Sequence, residues 1–165
     1  MYQIFAIFIL VIGLQISCKN NTEKATSEIE KINKSPEMTY DSLLARQLGV
    51  DDYGMKPYVM AFLLAGPNRN QDSLEIQKIQ RAHLDNINRM AEEGKLVLAG
   101  PFLDEGEVKG IYIFNVSTIE EAEQLTKTDP AIISGRLKMN LKPWYGSGAI
   151  IELNKLHHKI AKNEI

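Results

Sequence analysis

The chain has 165 residues, 44% hydrophobic and 24% charged, a length and balance that suit one globular core. Its formal net charge of −2, with Lys and Arg spread among Asp and Glu, offers no basic face to nucleic acid or to an anionic membrane surface. Neither partner is expected.

The first seventeen residues carry no charged side chain, and the apolar run Ile4 to Leu14 ends at Gln15-Ile16-Ser17-Cys18. That run is about half of the roughly 20 residues a spanning helix needs, so residues 1–17 read as a signal peptide. The small Ser17 before the only cysteine is similar to a bacterial lipoprotein processing site, where the cysteine, here Cys18, is lipidated and becomes the new N-terminus. Gln15, where that motif usually has leucine, departs from it. The expected location is the bacterial cell envelope, extracytoplasmic, with the domain held to a membrane through lipid on Cys18. An uncleaved anchor and ordinary secretion are the alternatives. In each case the folded domain has no thiol, which removes disulfides, thiolate nucleophiles and cysteine-ligated zinc.

Residues 18–38 are rich in Asn, Thr, Ser, Lys and Glu and read as a flexible tether, because single apolar residues cannot offset the entropy of ordering. Residues 39–57 form an N-terminal helical extension, with Leu43, Leu44 and Leu48 on one side and Gly49 to end the helix. The domain proper, with a C-terminal extension, occupies residues 58–165.

Tyr58 to Ala65 is apolar on both alternating faces and predicts a covered strand that Gly66-Pro67-Asn68 ends. Asp72 with Glu75 predicts a capped helix carrying Ile76, Ile79, Ile87 and Met90, stopped by Gly94, with His83 in the same stripe. Lys95 to Ala99 and Gly110 to Val116 predict two further strands. Ser117 with Glu120 predicts a second capping box, opening a helix that carries Ile119, Ala122 and Leu125 and ends near Asp129-Pro130. Leu137 to Tyr145 is the last extended segment. The order βαββαβ predicts an α+β, ferredoxin-like fold with helices on one face of an antiparallel sheet. Because the central strands are apolar on the other face too, a second copy packing sheet to sheet is expected, giving a homodimer, a dimeric α/β barrel.

His83 is the residue that the pattern explains least. A histidine among core positions must satisfy both ring nitrogens, either as a hydrogen-bonded core residue or as a general base, since imidazole titrates near neutrality. Asp129 is a candidate orienting carboxylate for His83, and equally the N-cap of a short helical turn with Pro130 first and Gly135 last. Arg81, on a different face of the helix from His83, and Arg136 are candidate contacts for a carboxylate on a ligand, or solvated surface arginines. Gly66-Pro67-Asn68-Arg69 and Gly100-Pro101 either line the site or only end strands. Trp144 and Tyr145 either wall it or pack in a core or dimer interface. His157-His158 has no metal-binding spacing, so no metal is expected, and no phosphate loop or serine-nucleophile elbow is present. No cofactor is expected.

His83 in its helix, the run Gly94-Lys95-Leu96-Val97-Leu98-Ala99-Gly100-Pro101, Glu120-Glu121-Ala122 and Asp129-Pro130 together resemble the YCII-related family over about Tyr58 to Tyr145. The flanks, Tyr40-Asp41 to Gly54-Met55 and Pro143-Trp144-Tyr145-Gly146-Ser147, resemble a subgroup with extra ends, here with a lipoprotein-type signal. The resemblance implies a ferredoxin-like dimer with a histidine and aspartate pair as the active site. It also implies kinship with an enzyme that eliminates chloride from an aromatic-ring breakdown product and a fold like that of muconolactone isomerases. A cofactor-independent isomerase or lyase follows as the expected function, with His83 and Asp129 catalytic. Arg81, Gly100, Pro101 and Arg136 would bind a small metabolite, an anionic one if the arginines contact it. A small-molecule-binding module of the envelope without turnover, and a dimeric structural domain, are the alternatives.

Overall fold

The computed structural model describes residues 39–163; the signal run, the tether and Cys18 lie outside the described residues. The first element, α1 (Ser42–Leu48), is capped by Asp41, whose carboxylate accepts from the Leu43 and Leu44 amides, and ends at Gly49 in the left-handed region, φ 66°. Then come β1 (Met55–Ala65), α2 (Ser73–Glu92), β2 (Leu96–Pro101), β3 (Val108–Phe114), α3 (Ile119–Thr126) and α4 (Pro130–Ile133). The chain closes with β4 (Leu137–Ser147), a 3-10 turn at Gly148–Glu152 and α5 (Leu153–Ile160). The sheet runs β2-β3-β1-β4 with every neighbouring pair antiparallel, which is the ferredoxin-like α+β arrangement expected from the order of elements. β1 begins earlier than its apolar run because Met55, Lys56 and Pro57 pair with Ser147, Gly146 and Tyr145 at the far end of β4.

Strand alternation divides the core in two. Val59, Ala61 and Leu63 of β1 join Leu96, Tyr112 and Phe114 on the helix-facing side, where Met90 of α2 and Ala122 of α3 pack onto them. Full burial of each large side chain in such a cluster contributes about 1.5–3 kcal/mol. On the opposite side Tyr58, Val97 and Ile113 form a second cluster with Trp144, Ile150 and Ile151 around it. Val97 and Leu98 both reach this side because the β2 register shifts between Leu96 and Leu98, as a bulge requires. Here the structure amends the sequence argument for a bare second face. The 3-10 turn of the same chain covers one end of it, while Phe62 and Ile111, paired across β1 and β3, are half-buried at the other end.

Trp144 is part of this packing, its ring 5.7 Å from that of Tyr58, whereas Tyr145 is exposed and its hydroxyl donates to Asp51. One cap also differs from expectation. Two overlapping Ser/Thr-x-x-Glu motifs occur at Ser117 and Thr118, and the structure uses the second: Thr118 is the N-cap and Glu121, not Glu120, closes the box. That choice lets the Glu121 carboxylate accept from the amides of both Ser117 and Thr118, at 3.1 and 3.2 Å. Thr118→Ala should therefore cost about 1 kcal/mol in urea denaturation, while Ser117→Ala stays within about 0.5 kcal/mol of wild type.

Candidate functional site

The phase of α2 is set at its start, where the Asp72 carboxylate accepts from the Glu75 amide at 2.9 Å. Counting on from that cap, His83, Asn86 and Met90 are the residues that face inward and are buried. Asp129 arrives from the other direction. It is the N-cap of α4, one oxygen accepting from the Ala131 amide at 2.9 Å, with Pro130 at the first helical position and Gly135, φ 70°, just beyond the turn. A side-chain knot fastens this segment to α2: Arg89 donates to Asn86 at 2.8 Å and to the Thr128 hydroxyl at 3.0 Å, and that hydroxyl donates in turn to the Leu125 carbonyl at 2.7 Å.

The result is that Nδ1 of His83 lies 2.9 Å from each oxygen of Asp129. Both readings of Asp129 hold at once, helix cap and histidine partner. An ionised carboxylate can only accept, so Nδ1 carries the ring proton and Nε2 presents its lone pair, an assignment made from the hydrogen-bond network. The hydroxyl of Tyr112, from the middle of β3, sits 3.3 Å from Nε2 and donates to it, with the two rings stacked 6.2 Å apart. Burial, reinforced by the negative charge of Asp129, holds the Tyr112 phenol well above its ordinary tyrosine value, so it stays protonated and acts as a donor. All three side chains are inside: Asp129 is 0%, Tyr112 2% and His83 8% exposed.

Sequence reasoning missed Tyr112. A signal was available, since Tyr112 falls on the helix-facing alternation of β3, where a phenol must bury its ring and still find a partner for its hydroxyl. The other candidates are spread more widely. Arg81 lies on the exposed side of α2, ion-paired with Asp85 at 2.7 Å, outside the hydrogen bonds of His83. Gly100 and Pro101 end β2 opposite Ile111 and Gly110. A Cβ on Gly110 would stand 2.6 Å from the Gly100 carbonyl oxygen, so the two strands approach as closely there as glycine permits. Arg136 lines a small cavity beside α4. A larger open groove of about 690 Å³ runs from Leu64 to Leu141 along β4, and none of His83, Tyr112 and Asp129 lines it.

Residues 60–145, just over half of the chain, match the model of the YCII-related domain. The chain belongs to the YCII-related family. It is also 31% identical, over 62 residues, to the uncharacterized protein YjpA of Bacillus subtilis (strain 168), an alignment that covers 38% of this chain and 71% of that protein. The YCII-related region contains the whole His83, Tyr112 and Asp129 network and leaves α1, the 3-10 turn and α5 as flanking additions. Chemically, the YCII-related site of this chain is a histidine in a fixed tautomer with its basic nitrogen turned away from the carboxylate that fixes it.

Proposed function

We propose that this YCII-related domain is a cofactor-independent acid/base enzyme, an isomerase or lyase, that moves a proton of a small metabolite through His83. The observation that carries this reading is the orientation of the imidazole, Nδ1–H toward buried Asp129 and Nε2 toward a neutral phenol. Substrate displaces the Tyr112 hydroxyl from Nε2, whose 3.3 Å contact is long for an O–H donor. Nε2 then takes a proton from a carbon acid, and the imidazolium so formed is stabilised by Asp129. In an isomerisation the proton returns to a different carbon; in an elimination the electron pair leaves with the leaving group and the proton passes to solvent. Tyr112, kept protonated, donates to the oxygen on which negative charge develops.

The test is hydrogen exchange in D2O, read by NMR, over a panel of small keto and unsaturated carboxylic acids. At least one acid should incorporate deuterium at carbon with wild type, with the rate falling by about 10² to 10⁴ in His83→Gln. A panel in which no exchange depends on His83 removes the enzymatic reading. The burial and complete hydrogen bonding of the three side chains favour a second one, a small-molecule-binding module without turnover. In that case ligand retention persists without exchange.

The rest of the proposal concerns placement and assembly. Lipidation at Cys18 would hold the domain in the bacterial cell envelope, as the short apolar run before it suggests. A second copy would cover the part of the sheet around Phe62 and Ile111 that the 3-10 turn leaves open. Light scattering on the purified chain reads the dimer directly, and a monomer at micromolar concentration removes it.

A further inference from the structure

The turn after β1 is stitched to the segment before β4. The Gly66 amide donates to the Arg136 carbonyl at 2.8 Å and the Asn68 amide to the Gly135 carbonyl at 3.0 Å. Gly66 is buried there, and a Cβ in its place would fall on the Gly135 carbonyl oxygen, so the approach depends on glycine. This stitching sets Arg69 beside Arg136, and Arg69 further donates to the Arg136 carbonyl at 3.2 Å. Lys109 comes to the same place from the start of β3, its ammonium donating to the Gly106 carbonyl at 2.7 Å.

All three cations line one cavity of about 190 Å³, the room of about six water molecules. Among the described residues, no carboxylate lines it. The ion pairs among the described residues engage Arg81, His83, Arg89 and Lys155, none of these three. Three like charges gathered without a counter-charge, in a chain whose net charge is −2, are a concentration that an anion would relieve. Two of them are guanidinium forks, suited to paired oxygens. The cavity also adjoins the His83 site. Ile79 and Gln80, which line it, lie one helical turn before His83 on α2, and Ala131, also in its wall, gives its amide to Asp129.

We propose that this cavity binds a compact dianionic oxyanion group, the phosphate of a small monoester or the paired carboxylates of a short diacid. Arg69, Arg136 and Lys109 hold the charge, and the rest of the ligand points along α2 toward His83. As a substrate class the inference rests on the acid/base reading above; as a binding site it does not.

The purified, 15N-labelled full chain is titrated separately with inorganic phosphate, malonate, acetate and uncharged malonamide. Phosphate or malonate should shift the amides of Arg69, Gln80, Ala131 and Arg136 and bind at least about tenfold more tightly than acetate, with no binding of malonamide. Which dianion binds tighter separates a phosphate ligand from a dicarboxylate. Arg136→Gln and Lys109→Gln, the latter at an exposed position, should each weaken the better dianion about tenfold, while His83→Gln changes its affinity less than about twofold. Equal affinity for acetate and both dianions, no shifts at millimolar ligand, or unchanged binding in both cation variants overturns the proposal. Dianion binding without His83-dependent exchange removes only the acid/base reading, and exchange without dianion binding removes only this one.

Discussion

Asp129→Ala should destabilise the domain by about 2–5 kcal/mol in urea denaturation, because it removes a buried carboxylate and strands both the Nδ1–H of His83 and the Ala131 amide, each unsatisfied donor costing about 1–3 kcal/mol. A loss below about 1 kcal/mol would mean that water or another group satisfies these donors and that Asp129 does not hold the ring. Asp129→Asn separates the cap from the pairing. Its amide oxygen can still accept from Ala131, so the turn persists, but its NH2 faces Nδ1 and selects the tautomer with the proton on Nε2. That proton then opposes the Tyr112 hydroxyl, and Nε2 can no longer accept. Exchange activity should fall by about 10² to 10⁴ with a smaller stability loss than in the alanine variant.

Tyr112→Phe should show itself as a change in the pH dependence of stability. Burial, with Asp129 nearby, raises the folded-state pKa of this phenol above the ordinary value of about 10. A raised acid contributes stability that is whole below the unfolded value and drains as pH rises past it, here from about pH 10 upward, because the unfolded chain loses the proton first. The slope for one such proton is about 1.4 kcal/mol per pH unit. Wild type should therefore lose about 1 kcal/mol more stability than Tyr112→Phe between pH 10 and 11, where the unfolded phenol passes from half to almost full ionisation, as read from denaturation midpoints. Near neutrality wild type is the more stable of the two, since phenylalanine leaves Nε2 of His83 without its donor at a cost of about 1–2 kcal/mol. Parallel curves above pH 10 would show that the phenol is not the buried titrating group.

Much of the frame was legible because local signals and long-range pairing agree. Asp72 caps α2, Gly49 ends α1, Asp129-Pro130 opens α4, and all are fixed by backbone chemistry within a few residues. Where two local solutions were equally good, sequence could not choose: Ser117 and Thr118 offer the same box, and only the reach of Glu121 to two amides decides. The start of β1 at Met55 was hidden for another reason, since those residues owe their extended form to partners about 90 positions away on β4.

The site divides in the same way. His83 and Asp129 drew notice because a polar residue at a core position and an Asp-Pro pair are visible one residue at a time. Tyr112 has no such mark until β3 is placed beside α2. The grouping of Arg69, Lys109 and Arg136 is less visible still, for nothing in three separate segments says that they meet.

The stitching of Gly66 to Arg136 also ties the cationic cavity to the global fold. Its side-chain hydrogen bonds close loops of 66 and 67 residues, so the wall of the cavity is built from segments far apart in the chain. The cationic cavity therefore has no counterpart in a chain whose β4 has not yet joined the sheet. An anion seated there would bind only the finished molecule, slow its opening, and raise its unfolding midpoint with ligand concentration. A thermal-shift series in phosphate or malonate would thus report the integrity of the sheet from its β4 edge.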